Sequence, residues 1–131
     1  MHQFRAAVEA RDHERLMALF ADDVVFRSPV VFRPYRGRDT LAAILSAVMR
    51  VFEDFRYERE IGAAGDSDHA LVFRARVGDR ELEGCDFLHT DEDGLIDELC
   101  VMVRPLSGAL ALAEAMKAEL EAAQADLGAS A

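Results

Sequence analysis

Residues 80–104, RELEGCDFLHT-DEDG-LIDELCVMVR, read as two alternating runs joined by a turn. Successive side chains on a strand point to opposite faces, so each run divides into two sets. In the first run Leu82, Gly84, Asp86 and Leu88 alternate with Glu81, Glu83, Cys85, Phe87 and His89. In the second, Leu99, Val101 and Val103 alternate with Glu98, Cys100, Met102 and Arg104. This predicts an antiparallel hairpin, with Gly94 supplying positive φ at the turn. Strands with one apolar face need a cover, so the pattern demands a second layer. Asp86 is the exception on that face, a carboxyl among leucines. Buried there, it needs a donor beside it, Tyr57 or a water first, or must stay neutral, because an unpartnered carboxylate is costly away from water. Gly84, two residues earlier, is expected to leave space on the same face.

The rest of the chain supplies the layer. Residues 2–10 have a helical pattern with Phe4, Ala7 and Val8 on one side. Asp12 is placed to cap a second helix over 13–20, ended by Ala21-Asp22-Asp23. Residues 24–28 are β-rich and Pro29 stops them. Residues 30–37 read as a loop or short edge strand. Asp39 or Thr40 is expected to cap a third helix over 41–53, with Leu41, Ile44, Leu45, Val48, Met49 and Phe52 on a broad apolar face. From Phe55 the period becomes two. Phe55, Tyr57 and Ile61 share a face, with Arg59 as a flaw in the pattern. Residues 62–68 turn, and Leu71, Phe73, Ala75 and Val77 form the next apolar set. Gly78-Asp79 is the following hairpin turn. A last helix over 107–127 carries a stripe of Leu110, Ala113, Met116, Leu120, Ala123 and Leu127, with Gly128 closing it. Helices, then antiparallel strands, then one helix predict an α+β fold, a curved antiparallel sheet with helices on its concave face.

The 131 residues fit one domain over 1–131, with 107–127 as a helical extension. The net charge of −10 argues against nucleic acid and anionic membranes, which need clustered cations. No apolar run approaches the roughly 20 residues of a membrane span, and the charged N-terminus does not read as a signal peptide. Two cysteines without a framework point to a reducing, cytoplasmic setting.

Ala10-Arg11-Asp12 with Leu16 precedes the run from Leu19 to Val24, Tyr35-Arg36-Gly37-Arg38 stands before a helix, and Cys85-Asp86-Phe87 is followed by Asp93-Gly94-Leu95-Ile96. In this order and spacing, with the order of elements, they resemble the nuclear transport factor 2-like superfamily, and within it the SnoaL-like and ketosteroid-isomerase-like proteins. The resemblance implies a cone enclosing an apolar pocket, often dimeric. It implies no single reaction, because this fold hosts isomerases, cyclases, dehydratases and non-catalytic binders. The family's isomerases use a base aspartate, a tyrosine donor and a protonated aspartic acid donor. By the resemblance, Asp86 matches the protonated acid, the base position falls on Ser28, and the tyrosine position falls on Phe4. Serine without a base beside it cannot abstract a carbon-bound proton, and phenylalanine has no hydroxyl. Ketosteroid isomerase activity itself is therefore not expected.

Asp86 is the candidate catalytic residue. Ser28, Tyr57, Phe4, Phe73, Leu88, Leu99 and Val101 are the candidate ligand-binding residues, for a small apolar organic molecule. No cofactor is expected, and no metal, since Cys85 and Cys100 lack converging partners. His89 should face away from Asp86, Arg33 and Tyr35 should lie in a surface loop, and His2, His13 and His69 should lie at the surface. Two functions stay open: cofactor-free acid/base chemistry of the isomerase, cyclase or dehydratase kind, or a non-catalytic binding or dimerisation module. The outer-face residues Val72, Cys85, Phe87, Cys100 and Met102 predict a homodimer through that face. A turn centred on Glu92-Asp93 predicts free Cys85 and Cys100 directly opposed.

Overall fold

The computed structural model describes the backbone over residues 1–130 and the side chains over residues 1–122. Helices α1 (Gln3–Glu9) and α2 (His13–Met17) lead into β1 (Phe20–Arg27) and the two-residue β2 (Tyr35–Arg36). Helix α3 (Arg38–Val51) precedes four long strands, β3 (Glu53–Ile61), β4 (Asp68–Val77), β5 (Arg80–Thr90) and β6 (Ile96–Arg104). Helix α4 (Leu106–Ser130) follows. The strands form one curved sheet in the order β2-β1-β6-β5-β4-β3. This is the α+β fold that the sequence predicts, with one difference: β1 pairs with β6 in parallel. The link from β1 to β6 runs through α3 and four strands, β2 to β5, so it is free to return in either direction.

Asp12 caps α2 as expected, its Oδ1 accepting from the Arg15 N–H at 3.1 Å. Helix α3 differs. Its cap is Gly37 at φ 99°, with no side-chain cap, so neither Asp39 nor Thr40 plays that part. Strand β1 begins at Phe20, because Ala21-Asp22-Asp23 continue it rather than merely ending α2. The Arg59 flaw in β3 has a physical cause. The β3–β4 register shifts between Tyr57 and Arg59, a bulge that leaves Ile61 half exposed.

The β5–β6 register also shifts, between His89 and Thr90. Cys85 therefore lies opposite Met102, and Cys100 opposite Phe87. The two thiols share a face and are free, but they are diagonal, not directly opposed. Turn and bulge together move the pairing by two residues, which preserves the face of every side chain.

Helix α4 packs the predicted stripe only in part, with its buried face turned toward Leu112. Leu112 is buried and Met116 packs on the core, whereas Leu110 and Leu106 are exposed. Gly108 sets this rotation: a Cβ there would lie 2.8 Å from Cβ of Leu82. The helix is rich in Ala and Leu on all sides, so spacing alone cannot select the buried face. It also continues through Gly128 to Ser130. Ala123 and Leu127 lie outside the described side chains.

Candidate active site: an apolar cavity with one carboxyl

A cavity of about 300 Å³ opens between the concave sheet face and the helices. Phe4 and Val8 of α1, Leu16 of α2, and Ile44, Leu45, Val48 and Met49 of α3 line one side. Phe55 and Tyr57 of β3, Phe73 of β4, Asp86 of β5, and Leu99 and Val101 of β6 line the sheet side. The apolar face of α3 and the period-two sets of the strands thus meet as their patterns demand.

Asp86 is the one buried charged or polar side chain among the described residues. Its strand neighbours are Leu71 and Val101, both apolar. Its partner is Tyr57, whose hydroxyl donates to Oδ2 at 2.9 Å. Burial raises the carboxyl from 3.8 to about 7, and the hydrogen bond from Tyr57 pulls the other way. Desolvation wins because one donor cannot replace the water that a carboxylate loses. Burial, reinforced by the nearby Asp86 charge, also holds the Tyr57 hydroxyl well above the usual phenol range. Tyr57 therefore stays a donor near neutral pH, and Asp86 is divided between acid and carboxylate.

Aromatic packing fixes this pair. Phe55 stacks on Phe73 at 4.9 Å and meets Tyr57 edge-on at 5.0 Å. Phe73 also contacts Phe52 at 5.6 Å. Arg5 lies 5.8 Å from the Tyr57 ring centre. Gly84 differs from expectation. It does not leave open space: the Phe73 ring lies across it, and an added Cβ would be 2.2 Å from Cζ of Phe73. The glycine allows close approach of an aromatic ring from the paired strand.

The predicted residues separate into three groups. Phe4, Tyr57, Phe73, Asp86, Leu99 and Val101 converge on the cavity. Leu88 does not: it shares the face of Asp86 but is buried in the core cluster, because the cavity spans only part of that face. Ser28 reaches the rim, but its Oγ accepts from the Val30 and Val31 N–H groups at 3.1 and 3.3 Å. That turn engages the hydroxyl, leaving Ser28 no base-like role. Tyr35 also lines the cavity, while Arg33 is exposed.

The histidines fall outside the cavity. His89 faces away from Asp86 and bonds Asp97 at 2.6 Å. His13 is exposed, but His2 and His69 are half-buried, their rings 4.7 Å apart. His2 accepts from the Phe4 N–H as the cap of α1, a role its surface-type neighbours conceal.

Helix α4 meets the cavity through three residues of its predicted stripe, Ala113, Met116 and Leu120, and through Leu112 and Lys117, which the stripe did not include. Lys117 is the only lysine in the chain.

A family model described as a SnoaL-like domain matches residues 1–99. No protein of curated function matches the chain. Among solved structures, the chain is similar to a steroid delta-isomerase from Pseudomonas aeruginosa, with 43% identity and a TM-score of 0.87. That match covers 92% of this chain and 88% of the other. It is also similar to an uncharacterised bacterial protein with a cystatin-like fold from Silicibacter pomeroyi, at 36% identity and a TM-score of 0.85. There 91% of this chain and 83% of the other are covered. RV0760c from Mycobacterium tuberculosis, solved in complex with estradiol-17β-hemisuccinate, shares the fold at 20% identity and a TM-score of 0.63. It covers 81% of this chain and 91% of its own. The match over residues 1–99 and the shared helix-and-sheet frame establish that the chain belongs to the SnoaL-like domain family.

Proposed function

We propose that the cavity binds a small apolar organic molecule through one ligand oxygen, and that Asp86 serves that oxygen as a proton or hydrogen-bond donor. The observation that carries this reading is a carboxyl poised near neutrality, on a cavity wall otherwise almost wholly apolar. A neutral acid in such a site polarises a carbonyl or protonates a leaving hydroxyl without a cofactor. The chemistry that fits is acid-assisted isomerisation, cyclisation or dehydration. The isomerase named among the similar structures supports a steroid-sized substrate.

A second reading rests on the charged groups of the cavity. Among the described residues, Asp86 and Lys117 are the only charged residues that line it. No second carboxylate among them stands ready to remove a carbon-bound proton, which favours a binder without turnover. Asp86→Asn separates the two, since it keeps the shape and removes the titration. An enzyme using this acid loses about 10²-fold or more in rate. A binder keeps most of its affinity, measured calorimetrically with 17β-estradiol as probe. If the wild type binds no steroid, the pocket reading falls.

We also propose that the outer sheet face pairs with a second copy. Phe87 and Met102 are exposed there, beside Val72, Cys85 and Cys100. Arg74, Glu83 and Arg104 flank them with charges of both signs, suited to a surface that meets itself. Two free thiols on that face support a reducing, cytoplasmic setting.

A further inference from the structure

The cavity has a polar floor and a charged rim, and the two are chemically distinct. Asp86 is buried at the floor, while Lys117 is exposed on α4 and lines the same cavity. Lys117 is the only lysine of 131 residues; the other permanent cations are arginines, and none of these lines the cavity. Glu114 and Glu121, three residues before and four after it, sit at helical pairing distance along the chain. Yet none of the ion pairs among the described residues involves Lys117. Glu119, two residues after it, is held by Arg50 of α3. This leaves Lys117, exposed and lining an apolar cavity, with no ion-pair partner among the described residues. The rim hydroxyl of Ser28 is engaged by its own turn.

We propose that the ligand is amphiphilic: an apolar body, an oxygen at its inner end for Asp86, and a carboxylate at its outer end paired with Lys117. This rests on the pocket reading above and deepens it by naming the ligand's second polar group. The long lysine stem lies along apolar surface while its head stays wet, so it can follow an anion at the mouth. Helix α4 lies beyond residues 1–99, the part matched by the SnoaL-like family model.

The test compares two probes that differ only in the outer group, 17β-estradiol and estradiol-17β-hemisuccinate, by titration calorimetry at pH 7 and low salt. The hemisuccinate should bind the wild type more tightly by up to about fivefold, the upper worth of an exposed ion pair. The ratio should fall to about one in Lys117→Met, invert in Lys117→Glu, and survive in Lys117→Arg. It should also shrink with added salt, because the pair is solvated. Equal affinity for both probes in the wild type and in Lys117→Met would overturn the inference and leave the pocket reading standing. Failure of the wild type to bind either probe would overturn both.

Discussion

Asp86 couples the stability of the fold to pH in the opposite sense from a salt-bridged aspartate. In the unfolded chain it ionises near 3.8, and in the fold near 7. Between these values the folded state holds a proton that the unfolded state has lost. Stability therefore falls as pH rises through that window and levels off above it. Asp86→Asn has no such titration. Its stability relative to the wild type should grow from pH 4 to pH 7 and then plateau. The gain is a few kcal/mol at most, because each tenfold change in proton affinity is worth about 1.4 kcal/mol. Urea unfolding of both proteins across that range measures it, and a flat difference would show that Asp86 titrates alike in both states. Tyr57→Phe should move the Asp86 midpoint further up, because the donor that favours the carboxylate is gone. Carbon-13 detection of the carboxyl reads that midpoint directly. Gly84→Ala should destabilise by about 1–3 kcal/mol, since the added methyl meets a packed Phe73 ring.

At the scale of elements, the sheet was more legible than the helices. The alternation in β4, β5 and β6 assigns faces correctly, because a period of two leaves one way to bury the apolar set. Bulges were not visible as such, yet Arg59 marked one by breaking the pattern. The buried face of α4 was read only in part, Met116 correctly and Leu110 not, because its composition offers leucines all round, and the close approach of Gly108 to Leu82 made the choice. This helix contacts α3, β4, β5 and β6 and lines the outer cavity. Ending the chain after Pro105 removes Leu112 from the core and opens the cavity. We expect a lower Tm and weaker steroid binding; unchanged values in both would make α4 dispensable.

For the whole molecule, the outer sheet face should govern assembly. Phe87 is 41% and Met102 is 59% exposed, on the face away from the cavity. Sedimentation at micromolar concentration should give a dimer, and Phe87→Glu should give a monomer with the cavity intact. A wild-type monomer at that concentration would remove the proposal. No helix among the described residues is long and apolar enough to cross a membrane.

By itself the sequence determined the α+β order of elements, the two faces of each long strand, and a carboxyl on the inner face at Asp86. These follow from side-chain periodicity, which is local and survives any arrangement of the elements. Tertiary structure decided the rest. It closed the expected bond from Tyr57 of β3 to Asp86 of β5, two strands away, and laid Phe73 over Gly84. It left Leu88 in the core, turned α4 to bury Leu112, and brought Lys117 to the mouth. It also paired β1 with β6 in parallel. Each of these depends on which distant surfaces meet, and no local period records that.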